Sequence, residues 1–517
     1  MPPRPRGAFV ALLSFTLSVV TGASTAYAAN GRGHTEAGTG AYQAMHYLQP
    51  KRDTPTATAS MTSAAKITRT TSAGSGLAGW LTTKDARRRV SRLSAAELVP
   101  STSRSAVHVA VDDTQRFQTM DGYGAALTES SAHLLMRLPA AKRTAALRSL
   151  FDPVDGAGLS LVRLPLGASE FALSRYTYDD LPSGQTDPSL TRFSLAHDDA
   201  EIIPVLREAL AINPRLRVMG TPWSAPGWMK TSGSLIGGTL RSDSVDVYAR
   251  YLVKTVQALR SRRVPIRFLM LGNEPRYAPP DYPGMLMSPA QEAALASTLH
   301  RRLVEAGITH LQLIGYDHNW DDTSYPTTLL ADPAAGALAG TAFHCYGGQP
   351  SAQSVVHDAA PSKGIWFTEC TGGDWTTSYA GNLGWNADML LLGATRNWAR
   401  SVVLWNLALS PTAGPHKGGC STCRGVLTVD PATGTVTRNV EYDLLAQGGK
   451  AVRPGAVRVA TPESVYGVKT VAYLNSDGTH VLTAYNSWVS DQVLVVDQAG
   501  RSVGAPLPAG SVVTLRW

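Results

Sequence analysis

Short apolar runs separated by longer amphipathic stretches fill the middle of the chain. The runs are 117–126, 159–166, 216–223, 268–274, 311–317, 341–346, 365–369 and 402–406. Eight runs alternating with helical stretches predict an α/β chain closed as a (β/α)8 TIM barrel. The intervening segments carry helix signals. Val245, Tyr248, Leu252, Val256 and Leu259 recur at spacings of three and four, which makes one apolar face. Ser288-Pro289-Ala290-Gln291 offers an N-cap, a first-turn proline and a capping-box partner, and Gly307 supplies a left-handed stop.

Outside this region the period changes to two. Val107, Val109 and Val111 alternate with His108, Ala110 and Asp112, the pattern of a half-exposed strand. After Cys423, short alternating runs are punctuated by Asp-Pro-Ala-Thr-Gly, Asn-Ser-Asp-Gly and Gln-Ala-Gly, which predicts an attached antiparallel β-sandwich. The expected organisation is therefore a segment 76–112 lending strands to the sandwich, a barrel over 113–423 and the sandwich over 424–517. Its sequence offers no obvious aromatic platform, so a structural role is expected for it.

The N-terminus reads differently again. A basic start, an apolar stretch over 8–22 and Ala26-Tyr27-Ala28 predict a signal peptide over 1–28 and a secreted protein. Residues 29–75, rich in Thr, Ala and Ser without apolar period, are expected to form a flexible leader. No segment has the length and apolarity of a membrane span.

The formal net charge is +8, and removing Arg4 and Arg6 with the leader, which has no acid, would leave +6. The surplus is scattered, without a basic run or interleaved aromatics, so no nucleic-acid partner is expected. Four cysteines in an exported chain suggest pairing. Cys420 and Cys423 read as a local loop disulfide rather than a redox motif or half of a zinc site. Cys345 and Cys370, outward-facing at the ends of neighbouring strands, are expected to lie close together, either bonded or packed as two small apolar groups.

The polar residues gather where the runs end, the active face of such a barrel. Run four ends at Asn273 and Glu274, run six at His344, Cys345 and Tyr346, run seven at Glu369, and run eight at Trp405 and Asn406. Strands three steps apart on an eight-stranded ring place their Cα atoms about 14 Å apart, so two inward glutamates would hold their carboxyls about 5–6 Å from each other. That separation suits a retaining glycosidase, and like charges so close keep one proton between them. Asn273 is positioned to donate to a sugar hydroxyl and Tyr346 to hold Glu369.

These residues fall within Asp121-Gly-Tyr-Gly-Ala-Ala-Leu-Thr-Glu129, Arg163-Leu-Pro-Leu-Gly, Tyr176-Thr-Tyr-Asp-Asp180, Thr221-Pro-Trp-Ser-Ala-Pro-Gly-Trp-Met-Lys230, Asn273-Glu-Pro275, His344-Cys-Tyr-Gly-Gly348, Thr368-Glu-Cys370 and Trp405-Asn-Leu-Ala-Leu409. In these motifs the chain resembles glycoside hydrolase family 30, the glucosylceramidase and β-1,6-glucanase-like group. The resemblance implies a retaining β-glycosidase with Glu274 as acid/base and Glu369 as nucleophile. It also implies a sugar subsite lined by Glu129, Arg163, Trp223, Asn273, His344, Tyr346, Trp405 and Asn406, with Glu129 standing where family members often carry aspartate. No cofactor and no metal is implied. The substrates it implies are β-linked glucans or a glycolipid head group, with β-1,6-glucan preferred, acted on by a monomer without membrane insertion.

Three other readings are weighed. A sister enzyme would act on β-galactosides, β-fucosides or β-xylosides. A carbohydrate-binding protein would have lost catalysis, against the presence of both glutamates. A metallohydrolase would use Asp317, His318 and His344, although histidines at strand ends more often serve as hydrogen-bonded scaffolding.

Overall fold

The computed structural model describes residues 76–517. The signal peptide and leader expected over 1–75 lie outside the described residues. Eight parallel strands close into a barrel, here numbered in chain order: β1 Gly122–Ala126, β2 Leu161–Leu166, β3 Arg217–Pro222, β4 Ile266–Met270, β5 Gln312–Asn319, β6 Leu338–His344, β7 Gly364–Glu369 and β8 Ala399–Leu404. The ring closes through β8 and β1, where Ser401 pairs with Gly122 and Leu404 with Ala125. Leu161, Met219, Phe268, Ile314, Ala342, Trp366 and Val403 pack together in a separate cluster built from strand residues. The barrel interior is thus filled with side chains, and a ligand has room only at its mouth.

The helices follow their sequence signals. Val245–Ser261 buries Tyr248, Leu252, Val256 and Leu259 on one face. Pro289–Glu305 starts with a complete capping box from Ser288 and Gln291, and Gly307 beyond it takes φ +69°. No helix among the described residues is long and apolar enough to cross a membrane.

The second layer system is a β-sandwich. Its larger sheet runs Ser91–Arg92, Ala78–Thr82, Val512–Arg516, His480–Asn486, Val468–Leu474, Val457–Ala460 and Asp112–Thr119. Its smaller sheet pairs Arg501–Leu507, Gln492–Gln498 and Val107–Ala110. Val107 and Val109 are buried while His108 and Ala110 face solvent, as their alternation predicts.

Two boundaries differ from the sequence expectation. Residues 112–119 belong to the sandwich, with Val457 opposite Thr119, so the barrel starts at Gly122 and not at 113. An apolar run cannot show where one sheet hands over to another. Beyond Cys423 the chain has not yet left the barrel: the helix Val440–Gly449 follows β8, is buried along its whole length, and covers Tyr123 of β1 closely enough that Gly448 has no space for a Cβ. The sandwich proper resumes at Val457.

Candidate active site

Glu369 is the last residue of β7. Glu274 reaches the same place by a different route. Regular β4 stops at Met270, and the chain continues through Leu271–Asn273 by single bonds to both neighbours, with Asn273 N donating to Pro222 O and Glu274 N to Asp317 O. Glu274 itself adopts φ +47°, a conformation costly for a residue with a Cβ. The expected plain strand delivering Glu274 is therefore replaced by a bent extension that turns the side chain into the mouth.

There the two carboxylates meet. Glu274, Glu369 and His344 each place one oxygen or nitrogen within 4.8 Å of the others. Both glutamates are at least nine-tenths buried. Arg163, on β2 and fully buried, supplies the permanent positive charge. One of its terminal nitrogens donates to Glu369 Oε2, and the other donates to Asn273 Oδ1 at 2.8 Å and Asp317 Oδ2 at 2.7 Å. Fixing Asn273 by its oxygen leaves its amide N–H group as the end available to a ligand. Tyr346 donates its hydroxyl to Glu369 Oε1 at 2.8 Å.

On the other side of the pair, His344 lies 3.0 Å from Glu274 Oε1 through Nδ1 and 3.1 Å from Asp317 Oδ1 through Nε2. Burial disfavours its charged form, but Glu369 and Asp317 outweigh burial and push the imidazole up to about 9. Asp317, though buried, is held well below the usual carboxylate range by Arg163 and His344. Asp317 sits at φ +47° after Tyr316 at +68°, a local distortion of β5. Burial and the charge of Glu274 raise Glu369, whereas at Glu274 burial is outweighed by His344, His318 and Arg163 together, which lower it. The two glutamates therefore titrate as a coupled pair.

Aromatic side chains stand beside the Arg163 end of the pair. Trp223 and Trp405 stack with centroids 5.1 Å apart, and the Arg163 guanidinium lies 4.9 Å from the first ring and 5.5 Å from the second. Trp405 Nε1 donates to Glu170 Oε1 at 2.8 Å. Burial and the nearby Glu369 push Glu170 up to about 8, so it is a neutral acid at pH 7.

Glu170 is the residue that sequence reading missed. Its signal was available, because Ser169-Glu170 forms the polar exit of the strand carrying Arg163. Glu129, expected in the subsite, is committed elsewhere: it opens the helix Glu129–Met136 and accepts from Leu173 N at 2.9 Å and His197 Nε2 at 2.7 Å. Two further expectations need correction. His344 is fully buried behind the glutamates and holds them instead of lining the subsite. Asn406 is fully buried too, at φ +61°, and accepts from Thr128 at the start of the same helix. Arg163, Asn273 and Tyr346 contact the pair or one another there, and Trp223 and Trp405 stand over Arg163.

Both cysteine pairs are bonded. Cys345 and Cys370 lie just past the ends of β6 and β7 with Cα atoms 5.3 Å apart, beyond the regular ladder that would hold parallel neighbours in a poor orientation. Cys420–Cys423 closes a loop whose sulfurs pack with Trp223, Trp405, Phe171 and Tyr282. That loop touches Glu170 directly, since Lys417 N donates to Glu170 O at 2.6 Å and a Cβ on Gly419 would fall 2.6 Å from Glu170 Cβ.

The spacing of Glu274, His344 and Glu369 is also one a cation could accept, but the donor chemistry is wrong. Both imidazole nitrogens face carboxylates and the ring is protonated, while Asp317 already accepts from Arg163, His344 and Thr368. A metal would have to displace these charges before His344 or Asp317 could ligate it, which leaves His318 alone of the three ligands that the metallohydrolase reading needs.

Comparison with known proteins agrees with this geometry. Residues 120–422 match the glycosyl hydrolase family 30 TIM-barrel domain, and residues 455–515 match the family's beta sandwich domain. The chain is 33% identical over 443 residues to the endo-1,6-beta-D-glucanase neg1 of Aspergillus fumigatus, covering 80% of this chain and 88% of that protein. It is 28% identical over 473 residues to putative glucosylceramidase 4 of Caenorhabditis elegans, covering 84% and 86%. Among solved structures, the endo-beta1,6-glucanase BT3312 superposes with a TM-score of 0.80 at 31% identity, over 85% of this chain and 99% of that one. Barrel and sandwich alike place the chain in one lineage of carbohydrate-cleaving enzymes: it belongs to glycosyl hydrolase family 30.

Proposed function

We propose that this glycoside hydrolase is secreted and cleaves β-D-glucosidic bonds with retention, Glu369 acting as nucleophile and Glu274 as acid/base. The observation that carries the reading is the approach of the two carboxylates within 4.8 Å, too close to seat a water between an inverting pair. The roles are those that membership of the family implies, and the contacts of Glu369 support its part. Glu369 has Arg163 on one oxygen and the Tyr346 hydroxyl on the other, an environment that stabilises a carboxylate and aims it. Attack by Glu369 on the anomeric carbon requires Glu369 as the carboxylate and Glu274 as the acid once the sugar is bound, the reverse of the bias in the free site. Glu274 then delivers its proton to the departing glycosidic oxygen as the C–O bond breaks. In the second step Glu274 takes a proton from water, the water oxygen bonds to the anomeric carbon, and Glu369 leaves as the carboxylate.

Trp405, Trp223, Asn273 and the neutral Glu170 hold the reacting sugar, and Asp317 and His344 keep the pair in register. β-1,6-Glucan is the preferred substrate, because the relatives named endo-1,6-beta-D-glucanases are more similar to the chain than those named glucosylceramidases. Export rests on the sequence of residues 1–28.

Proton NMR of a β-1,6-glucan digest should show the β-anomer of the new reducing end first. Initial release of the α-anomer excludes retention, and faster hydrolysis of glucosylceramide than of glucan excludes the preferred substrate. N-terminal sequencing of protein recovered from the medium should begin at Ala29.

A further inference from the structure

The sandwich domain carries an exposed aromatic ledge that the active site does not use. Val465 pairs with Val468, and the two residues between them form a tight turn with φ +46° at Tyr466 and +74° at Gly467. Such turns favour asparagine or glycine at the first position, because a Cβ is strained there. This chain puts a tyrosine in that place and leaves it 79% exposed. From the same end of the strand pair, where Val468 faces Asn486, the loop after His480–Asn486 returns over the turn. Trp488 crowds Gly467 with the Cδ1–Nε1 side of its indole, so closely that any Cβ there would collide with the ring, and is itself half exposed beside Val489, which is 90% exposed.

The ledge is rigid. Ser487 donates to Gly467 O through its backbone N at 3.0 Å and its hydroxyl at 2.8 Å. Asn486, fully buried, accepts from Trp488 N at 3.0 Å and donates to Ser490 O at 3.0 Å and Leu507 O at 2.9 Å. Large apolar side chains held in the open by a hydrogen-bonded scaffold mark an interaction surface. Residues 464–468 and 486–490 contain no charged side chain; of the flanking Glu463, Lys469 and Asp491, the one cation, Lys469, is paired with Asp388 at 2.6 Å, so the aromatic surface complements a neutral partner better than an anionic one. Flat, preorganised tyrosine and tryptophan faces give contact area at small entropic cost, which suits the apolar faces of pyranose rings.

We propose that Tyr466 and Trp488 form a second carbohydrate site, which anchors the enzyme on a neutral polysaccharide chain. Taking β-1,6-glucan as that polysaccharide rests on the function proposed above. The test uses the full-length protein carrying Glu369→Gln, so that the ligand survives, with Tyr466→Asn and Trp488→Ala added singly. Asparagine suits the left-handed turn position, so Tyr466→Asn is expected to fold at least as well as the parent. Co-sedimentation with insoluble β-1,6-glucan should fall at least fivefold in both variants. In the active background, turnover of a nitrophenyl β-glucoside should stay within twofold of the parent.

Undiminished sedimentation of Tyr466→Asn overturns the proposal. So does a binding loss that appears only with phosphatidylserine vesicles, which would make the ledge a lipid contact. Capture by insoluble β-1,3-glucan or xylan in place of β-1,6-glucan, again lost in the variants, would sustain the second site while refuting the preferred substrate.

Discussion

His344 donates to Glu274 across 3.0 Å from a position with no exposure to solvent. The imidazolium is thus a fixed internal charge, and its second nitrogen is anchored 3.1 Å from Asp317. Because its folded-state value is raised, its contribution to stability is complete below about pH 6.5 and is lost as the pH rises through about 9. The urea midpoint of the parent should therefore fall between pH 7 and pH 9.5 by an amount worth about 3 kcal/mol. His344→Asn should lack that fall. Since His344 holds Glu274 down, its loss should also move the pH–rate limb governed by Glu274 to higher pH and lower kcat about a hundredfold.

Arg163 joins three acceptors from three strands or strand ends: Asn273, Asp317 and Glu369. Lysine keeps the charge but cannot reach all three with one rigid fork. Arg163→Lys should cost about 3–5 kcal/mol of stability, the usual result of breaking a buried ion pair from one side, and lower kcat more than it changes KM. Differential scanning calorimetry with steady-state kinetics checks both, and an unchanged kcat would refute the positioning role.

Glu170 is neutral at pH 7 because burial and Glu369 raise it to about 8. An unfolded glutamate ionises near 4.5, so the folded state is progressively penalised between about pH 4.5 and pH 8. Glu170→Gln should match the parent in stability at pH 4 and exceed it at pH 9, by up to about 5 kcal/mol. Glu170→Ala, which removes the partner of Trp405 and the sugar contact proposed for it, should raise KM for a glucan oligosaccharide about tenfold.

The Cys345–Cys370 bond ties the strand ends that present Tyr346 and Glu369. Replacing both cysteines by alanine should cost about 3 kcal/mol, the chain-entropy value for a loop of this size. It should also lower kcat, because the Tyr346–Glu369 contact loses its tether. A variant with reduced thermal stability but unaltered kcat would show that the bond serves the fold alone.

Much of this molecule is written locally. Eight apolar runs, the capping box at Ser288, the stop at Gly307 and the alternation of Val107 and Val109 each follow from periodicity or turn chemistry within a few residues, which one sequence states in full. So do Glu274 and Glu369, polar residues at the ends of runs too apolar to lie anywhere but inside. Side-chain direction is not local. Glu129 and Glu170 both follow barrel strands and look alike in sequence. Only the packing of 170–173 against Glu129, and of the Cys420–Cys423 loop against Glu170, decides which carboxyl meets Trp405. The backbone turns at Glu274, Asp317 and Asn406, the burial of His344 and Asn406, and the meeting of Gly467 with Trp488 across a hairpin end were settled the same way. Each depends on contacts between segments distant along the chain, and no periodic pattern records those.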